Sequence, residues 1–175
     1  MFGNWLKNLV IGDASETLDG AGELERALRA ELPAADDETI LVIAAMVGLL
    51  GAVAYADGDF SLAEQQHVRA ELGRINGMSP SGAEAASSVL KRHVREIAAV
   101  HTPRYCRVLR ELADRELRVQ VLEMLFALAA ADENVTNAET NSMRQIATSL
   151  GLTQSDYNSI QAKYKHHLAV LRGNG

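Results

Sequence analysis

Apolar positions along this chain recur at helical spacing, and no segment alternates them strand-fashion. Leu18, Leu24, Leu28 and Leu32 predict a helix over Ser15 to Glu31, weakened by Gly20 and Gly22 and stopped at Pro33. A second helix is predicted from Asp37 to Ala56, and a third from Ser61 to Ile75, ending at Asn76-Gly77. Ser79-Pro80 opens a fourth helix reaching about Val100, and Thr102-Pro103 opens a fifth, to Leu112. Three more are expected: Arg115 to Ala131, Thr136 to Leu150 with Gly151 as its stop, and a last one capped by Thr153 that runs to about Leu171. The fold class is therefore all-α, a single compact bundle of about seven to eight helices with short connections.

The stretch from Ile40 to Ala56 carries no charge. As a helix it would span roughly 26 Å, the lower edge of what a bilayer requires. Asp36, Asp37 and Glu38 lie before it, Asp57 and Asp59 after it, and no Lys or Arg anchors either end. Its many Ala and Gly residues suit close helix packing, so a buried central helix is the expectation. The N-terminal stretch Met1 to Ile11 lacks the long apolar core and cleavage site of a secretory signal. It reads as a short docking helix or as a segment ordered against the body.

One segment occurs twice. Ala54-Tyr-Ala-Asp-Gly-Asp-Phe-Ser-Leu-Ala-Glu64 returns 75 residues later as Ala129-Ala-Ala-Asp-Glu-Asn-Val-Thr-Asn-Ala-Glu139. Asp57 aligns with Asp132, Asp59 with Asn134, Ser61 with Thr136 and Glu64 with Glu139. Each copy joins an apolar helix to an amphipathic one, so one acidic corner has been used twice. Ser61 to Glu64 and Thr136 to Glu139 both fit the Ser/Thr-x-x-Glu capping box, with Phe60 and Val135 as hydrophobic staples. Capping leaves Asp57 and Asp132 unexplained, because a carboxylate at a helix C-terminus opposes the macrodipole. The other reading is an oxygen-rich cation site, since Ca²⁺ takes several oxygen ligands. It is not an EF-hand: counting from Asp57, the sixth position is Leu62 and the twelfth Val68, and in the second copy these are Asn137 and Met143. A metal would need ligands pooled from both turns (Asp57, Asp59, Glu64, Asp132, Glu133 and Glu139) or from water.

Composition narrows the partners. A net charge of −6 with scattered Lys and Arg argues against nucleic acid. Cys106 is the only cysteine, so no intrachain disulfide forms and a reducing cytoplasm suits the chain. Cys106 reads as a buried thiol without a neighbouring base. Of the histidines, His67 reads as a solvated helix residue, His166-His167 as part of a basic helix end, and His101 as part of a helix opening. None is expected to form a ligand motif. Phosphate-binding loops and nucleophile elbows are absent.

The twice-used pattern of small residue, Ala-Asp, Gly or Glu, then Ser/Thr-x-x-Glu resembles the TerB-like family. That family includes tellurite-resistance TerB proteins and the N-terminal domain of membrane-anchored DnaJ-like co-chaperones. The resemblance covers about Asp36 to Leu171 and is closer in Leu117 to Tyr164. It implies two pseudo-twofold helix pairs and a divalent-metal site at Asp57, Asp59, Glu64, Asp132 and Glu139. The second turn departs from the stricter pattern, with Glu133 for Gly and Asn134 for an acid. No His-Pro-Asp is present, so co-chaperone activity is not implied.

The resulting expectation is residues 1–35 as an N-terminal segment with a short helix, and 36–172 as a TerB-like helical domain. It is a non-enzymatic binding module, tied by resemblance to bacterial stress or tellurite resistance, and its acidic turns bind a divalent cation, with Ca²⁺ first. The alternative is a structural interaction module without metal. The partner is then a protein, membrane-associated or a second copy of the chain. A cytoplasmic location is expected, or a peripheral one at the inner membrane.

Overall fold

The structure, a computed structural model, describes residues 19–131 and 135–169, with side chains as far as 165. Among these residues there are eight α-helices and no strand: α1 (Gly20–Glu31), α2 (Asp37–Ala54), α3 (Leu62–Leu72), α4 (Pro80–Glu96), α5 (Thr102–Leu112), α6 (Arg115–Ala131), α7 (Asn137–Ser149) and α8 (Gln154–Ala169). The expected turn at Ser15 to Leu18, the docking helix before it, the side chains of His166 and His167 and the chain end near Leu171 lie outside what is described.

Side-chain caps set most of the starts. Asp19, Asp36, Ser79 and Asp114 accept from the N–H three residues on, at 2.8–2.9 Å. Ser61, Thr136 and Thr153 do the same with a carboxylate reaching back to the cap. α3 stops at Leu72 with Gly73 as its cap, short of the expected Ile75, and Gly77 in the turn beyond it and Gly151 just after α7 take φ of 86° and 71°, backbone that an L side chain resists.

The charge-free stretch is the buried centre. Ile40, Ala45, Val47, Leu49, Leu50 and Val53 of α2 are fully enclosed. α2 packs against α1, α3, α4, α5, α6 and α7. Small residues make this crowding possible. A Cβ on Gly48 would lie 2.1 Å from Cε2 of Tyr105, and one on Gly51 would lie 2.7 Å from Cδ2 of Leu90. This is the one helix long and apolar enough to cross a bilayer among the described residues, and 72% of it is buried inside the protein.

The sequence repeat is also a packing repeat. α2 and α6 pack together, α3 lies on α6, and α7 lies on α2. The third helix of each set returns to the first, α4 onto α2 and α8 onto α6. Register is kept as well: Val68 and Leu72 of α3 are buried, as are Met143 and Ala147 at the matching positions of α7. Each of the two expected pseudo-twofold helix pairs is thus extended by a third helix. α1 lies outside the repeat, yet it buries Leu24 and Leu28 in the common core and is tied to α4 and α5 by Arg92–Glu23 (2.9 Å) and Arg104–Glu25 (2.7 Å). Burial dominates at Glu25 and pushes its carboxyl up.

The expected break before Pro103 is absent. Ile97–His101 forms a π-helical segment that carries α4 straight into α5. Proline supplies no N–H to the preceding turn and its ring crowds that turn, so one widened turn absorbs the misfit. Thr102 does not cap a new helix: its hydroxyl donates back to the Ala98 carbonyl at 3.0 Å. The wider turn rotates His101 inward, leaving it 8% exposed, while Val100 is 62% exposed.

Replacing Gly48 with Ala should cost about 1–3 kcal/mol of overpacking, lowering the melting midpoint by roughly 2–10 °C. Tyr105→Leu in the same chain should recover part of the loss. An unchanged midpoint for Gly48→Ala would contradict the close α2–α5 contact.

Candidate functional site

The first acidic corner is built by its own backbone. Gly58 takes φ of 91°, which only glycine tolerates without strain. Asp57 Oδ1 accepts from the Asp59 N–H at 3.0 Å, and Asp59 Oδ1 accepts from the Phe60 N–H at 2.9 Å. The partner demanded by a carboxylate at the end of α2 is therefore an N–H of the turn itself. Both aspartates are exposed.

Glu64 and Glu139 are held differently. Glu64 Oε2 accepts from the Ser61 N–H at 2.5 Å, and Ser61 Oγ accepts from the Glu64 N–H at 3.2 Å. Glu139 Oε2 accepts from the Thr136 N–H at 2.7 Å and from the Thr136 hydroxyl at 3.0 Å. Both capping boxes exist, closed by the same oxygen in each copy. Glu139 is buried and Glu64 half-buried. The staples differ from expectation. The residues four beyond the caps are Gln65 and Thr140, so Phe60 and Val135 pack against the general core instead. Gln65 donates to the Phe60 carbonyl at 2.8 Å. Asp132, with Glu133 and Asn134, lies outside the described residues.

The chain just before the first corner and the first turns of α7 line one cleft of about 670 Å³. Tyr55 and Ala56, just before Asp57, line one side, and Ala138 and Asn141 of α7 line another. The π segment closes a third side, with Arg95 as the charged group in the lining. Cys106 faces this space, but burial pushes its thiol up to about 11, so it stays protonated at neutral pH and is a poor nucleophile.

A second constellation was not legible in the sequence. Asp19 at the cap of α1, Glu96 at the end of α4 and His101 in the π segment bring one donor atom each within 4.8 Å of the others. His101 Nε2 lies 3.4 Å from Glu96 Oε1 and 3.5 Å from Asp19 Oδ2. His93 also has partners, with Nε2 at 3.1 Å from Glu23 and Nδ1 at 3.4 Å from Glu96. The expectation that no histidine joins a ligand group is thus corrected for His101. Glu96 lies three residues from His93 and five from His101, but Asp19 and Glu23 reach them only because α1 packs on α4. Among the described residues this is the one group of three such donors; Asp57, Asp59, Glu64 and Glu139 do not form another.

An all-α body of two interleaved three-helix units with capped acidic corners defines a small helical module. The sequence model of the tellurite resistance protein TerB family matches residues 43–162, and the chain belongs to that family. The match starts inside α2 and ends inside α8, so it spans both repeats and leaves α1 outside. No curated protein and no solved structure matches the chain.

The boxes should behave as caps in metal-free buffer. Ser61→Ala and Thr136→Ala are each expected to lower unfolding free energy by about 1 kcal/mol in denaturant titrations. Glu64→Gln, which can still close the box, should leave stability nearly unchanged. A Glu64→Gln loss as large as that of Ser61→Ala would mean that the charge, and not the cap, matters there.

Proposed function

We propose that this chain is a non-enzymatic binding module whose paired acidic corners take up a divalent cation, Ca²⁺ before others. The observation that carries the reading is the shared cleft: Ala56 beside Asp57 and Ala138 beside Glu139 line the same space. The donor chemistry fits. Asp57 and Asp59 offer only hard oxygen, stand exposed, and each spend one oxygen on a backbone N–H. A carboxylate has a second oxygen for a cation. Glu64 and Glu139 each give Oε2 to a cap, so their part is to fix the corner as much as to bind. Asp132 is the matching acid of the second copy. The cation would hold the two repeats at one end of the bundle.

The family ties such modules to tellurite resistance, and we extend to this chain a cytoplasmic role in that stress. An acidic cluster repels oxyanions, so the ligand at the corners is the cation and not tellurite. A second reading is an interaction module without metal. It is favoured by Leu62 and Val100, large apolar side chains 69% and 62% exposed, and by the capping boxes, which account for Glu64 and Glu139 without an ion.

A thermal melt of chelator-stripped protein titrated with Ca²⁺, Mg²⁺ and Mn²⁺ separates the two readings. Ca²⁺ at a hundred times its dissociation constant should add about 2.7 kcal/mol, a rise of roughly 5–10 °C. The Asp57→Asn, Asp132→Asn double variant should fold and lose that response. A midpoint unmoved by millimolar Ca²⁺ would leave the interaction module as the function.

A further inference from the structure

We propose a second metal site, separate from the acidic corners, in which Asp19, Glu96 and His101 hold one first-row transition-metal dication, with Zn²⁺ as the reference ion. The three donors come from three elements, namely the cap of α1, the last residue of α4 and the π segment. Their spacing suits an ion better than hydrogen bonds. Separations of 3.4 and 3.5 Å from His101 Nε2 exceed the usual range of about 2.7–3.2 Å for an N–H donor. Two ligands at about 2.0–2.1 Å from a tetrahedral Zn²⁺ stand roughly 3.3–3.4 Å apart, close to both separations from His101, and the two carboxylate oxygens lie within 4.8 Å of each other. Imidazole with two carboxylates is a nitrogen-and-oxygen set of the kind first-row dications take, and the imidazole argues against Ca²⁺.

The carboxylates are already oriented from behind, as metal ligands are. Asp19 uses Oδ1 to accept from the Gly22 N–H at 2.8 Å, leaving Oδ2 toward His101. Glu96 meets His93 Nδ1 through Oε2 at 3.4 Å while Oε1 faces His101. The Gly20 N–H also donates to Glu96, at 3.3 Å to each oxygen. A side chain on Gly20 would strike His93, since its Cβ would fall 2.6 Å from that of His93. This close approach of α1 to α4 is what brings Asp19 into reach.

The Tyr105 hydroxyl is buried with no hydrogen-bond partner, and its ring centroid lies 6.3 Å from that of His101. An orphaned buried O–H is costly. The His101 side chain is only 10% exposed, while Asp19 and Glu96 are 51% and 39% exposed, so an ion enters from the carboxylate side. Two carboxylates and one dication sum to neutrality, and the bound ion would staple α1 to the π segment.

The test is calorimetric titration of the full chelator-stripped chain with Zn²⁺, and with Co²⁺ followed by visible absorption. One Zn²⁺ per chain and a tetrahedral-type Co²⁺ spectrum are expected. His101→Gln should weaken Zn²⁺ binding at least about tenfold. Asp19→Asn should do so as well, and because Asn caps a helix as well as Asp it decides the matter should His101→Gln fail to fold. The Asp57→Asn, Asp132→Asn variant should bind Zn²⁺ as the parent does, which separates this site from the corners. The site is overturned if no Zn²⁺ binds at millimolar concentration. It is also overturned if the Asp19 and His101 variants bind like the parent, or if Zn²⁺ binding is lost only with Asp57 and Asp132.

Discussion

A helix of eighteen residues with no charge beyond its first turn is stable in water only when it is surrounded. That requirement on α2 organises the rest of the fold. Six other helices pack against it, and each needs a narrow line of approach. Gly48 and Gly51 provide two of these, letting Tyr105 and Leu90 sit where a methyl group would stand. Helices packed this closely must turn at the bundle ends, and the turn after α2 passes through Gly58. The acidic corner is therefore a consequence of a central helix that ends abruptly, with Asp57 and Asp59 providing the turn with its own hydrogen bonds.

The repeat answers the same constraint. One three-helix unit cannot enclose α2; a second unit, interleaved so that α3 covers α6 and α7 covers α2, closes most of the circle. The matched buried positions Val68 with Met143 and Leu72 with Ala147 show that the two units use one packing solution with different side chains. α1, α5 and the π segment fill what the repeat leaves open. Their meeting point, where Asp19, Glu96 and His101 converge, has no counterpart among the described residues of the second copy.

Much of this was legible in the sequence because it is local. Helix periods, Ser/Thr-x-x-Glu boxes and Gly stops act within a few residues, and the caps at Ser61, Ser79 and Thr136 stand where the chain puts them. Pro103 misled the reading for an equally physical reason. In isolation Thr-Pro opens a helix, but packing of the π segment and α5 against α2 holds the chain helical through it at the expense of one widened turn. The partners of His93 and His101 were hidden as well. His93 and His101 gain carboxylates from α1, more than sixty residues earlier in the chain, and no linear spacing encodes that meeting.

The central claim is that the two corners act together on one cation. Amide NMR spectra recorded through a Ca²⁺ titration of the metal-free chain test it most directly. The account predicts that amides from Asp57 to Glu64 and from Asp132 to Glu139 shift along one saturation curve, with those around Asp19 and His101 unmoved. Shifts confined to one corner, or no shift in either, would contradict it.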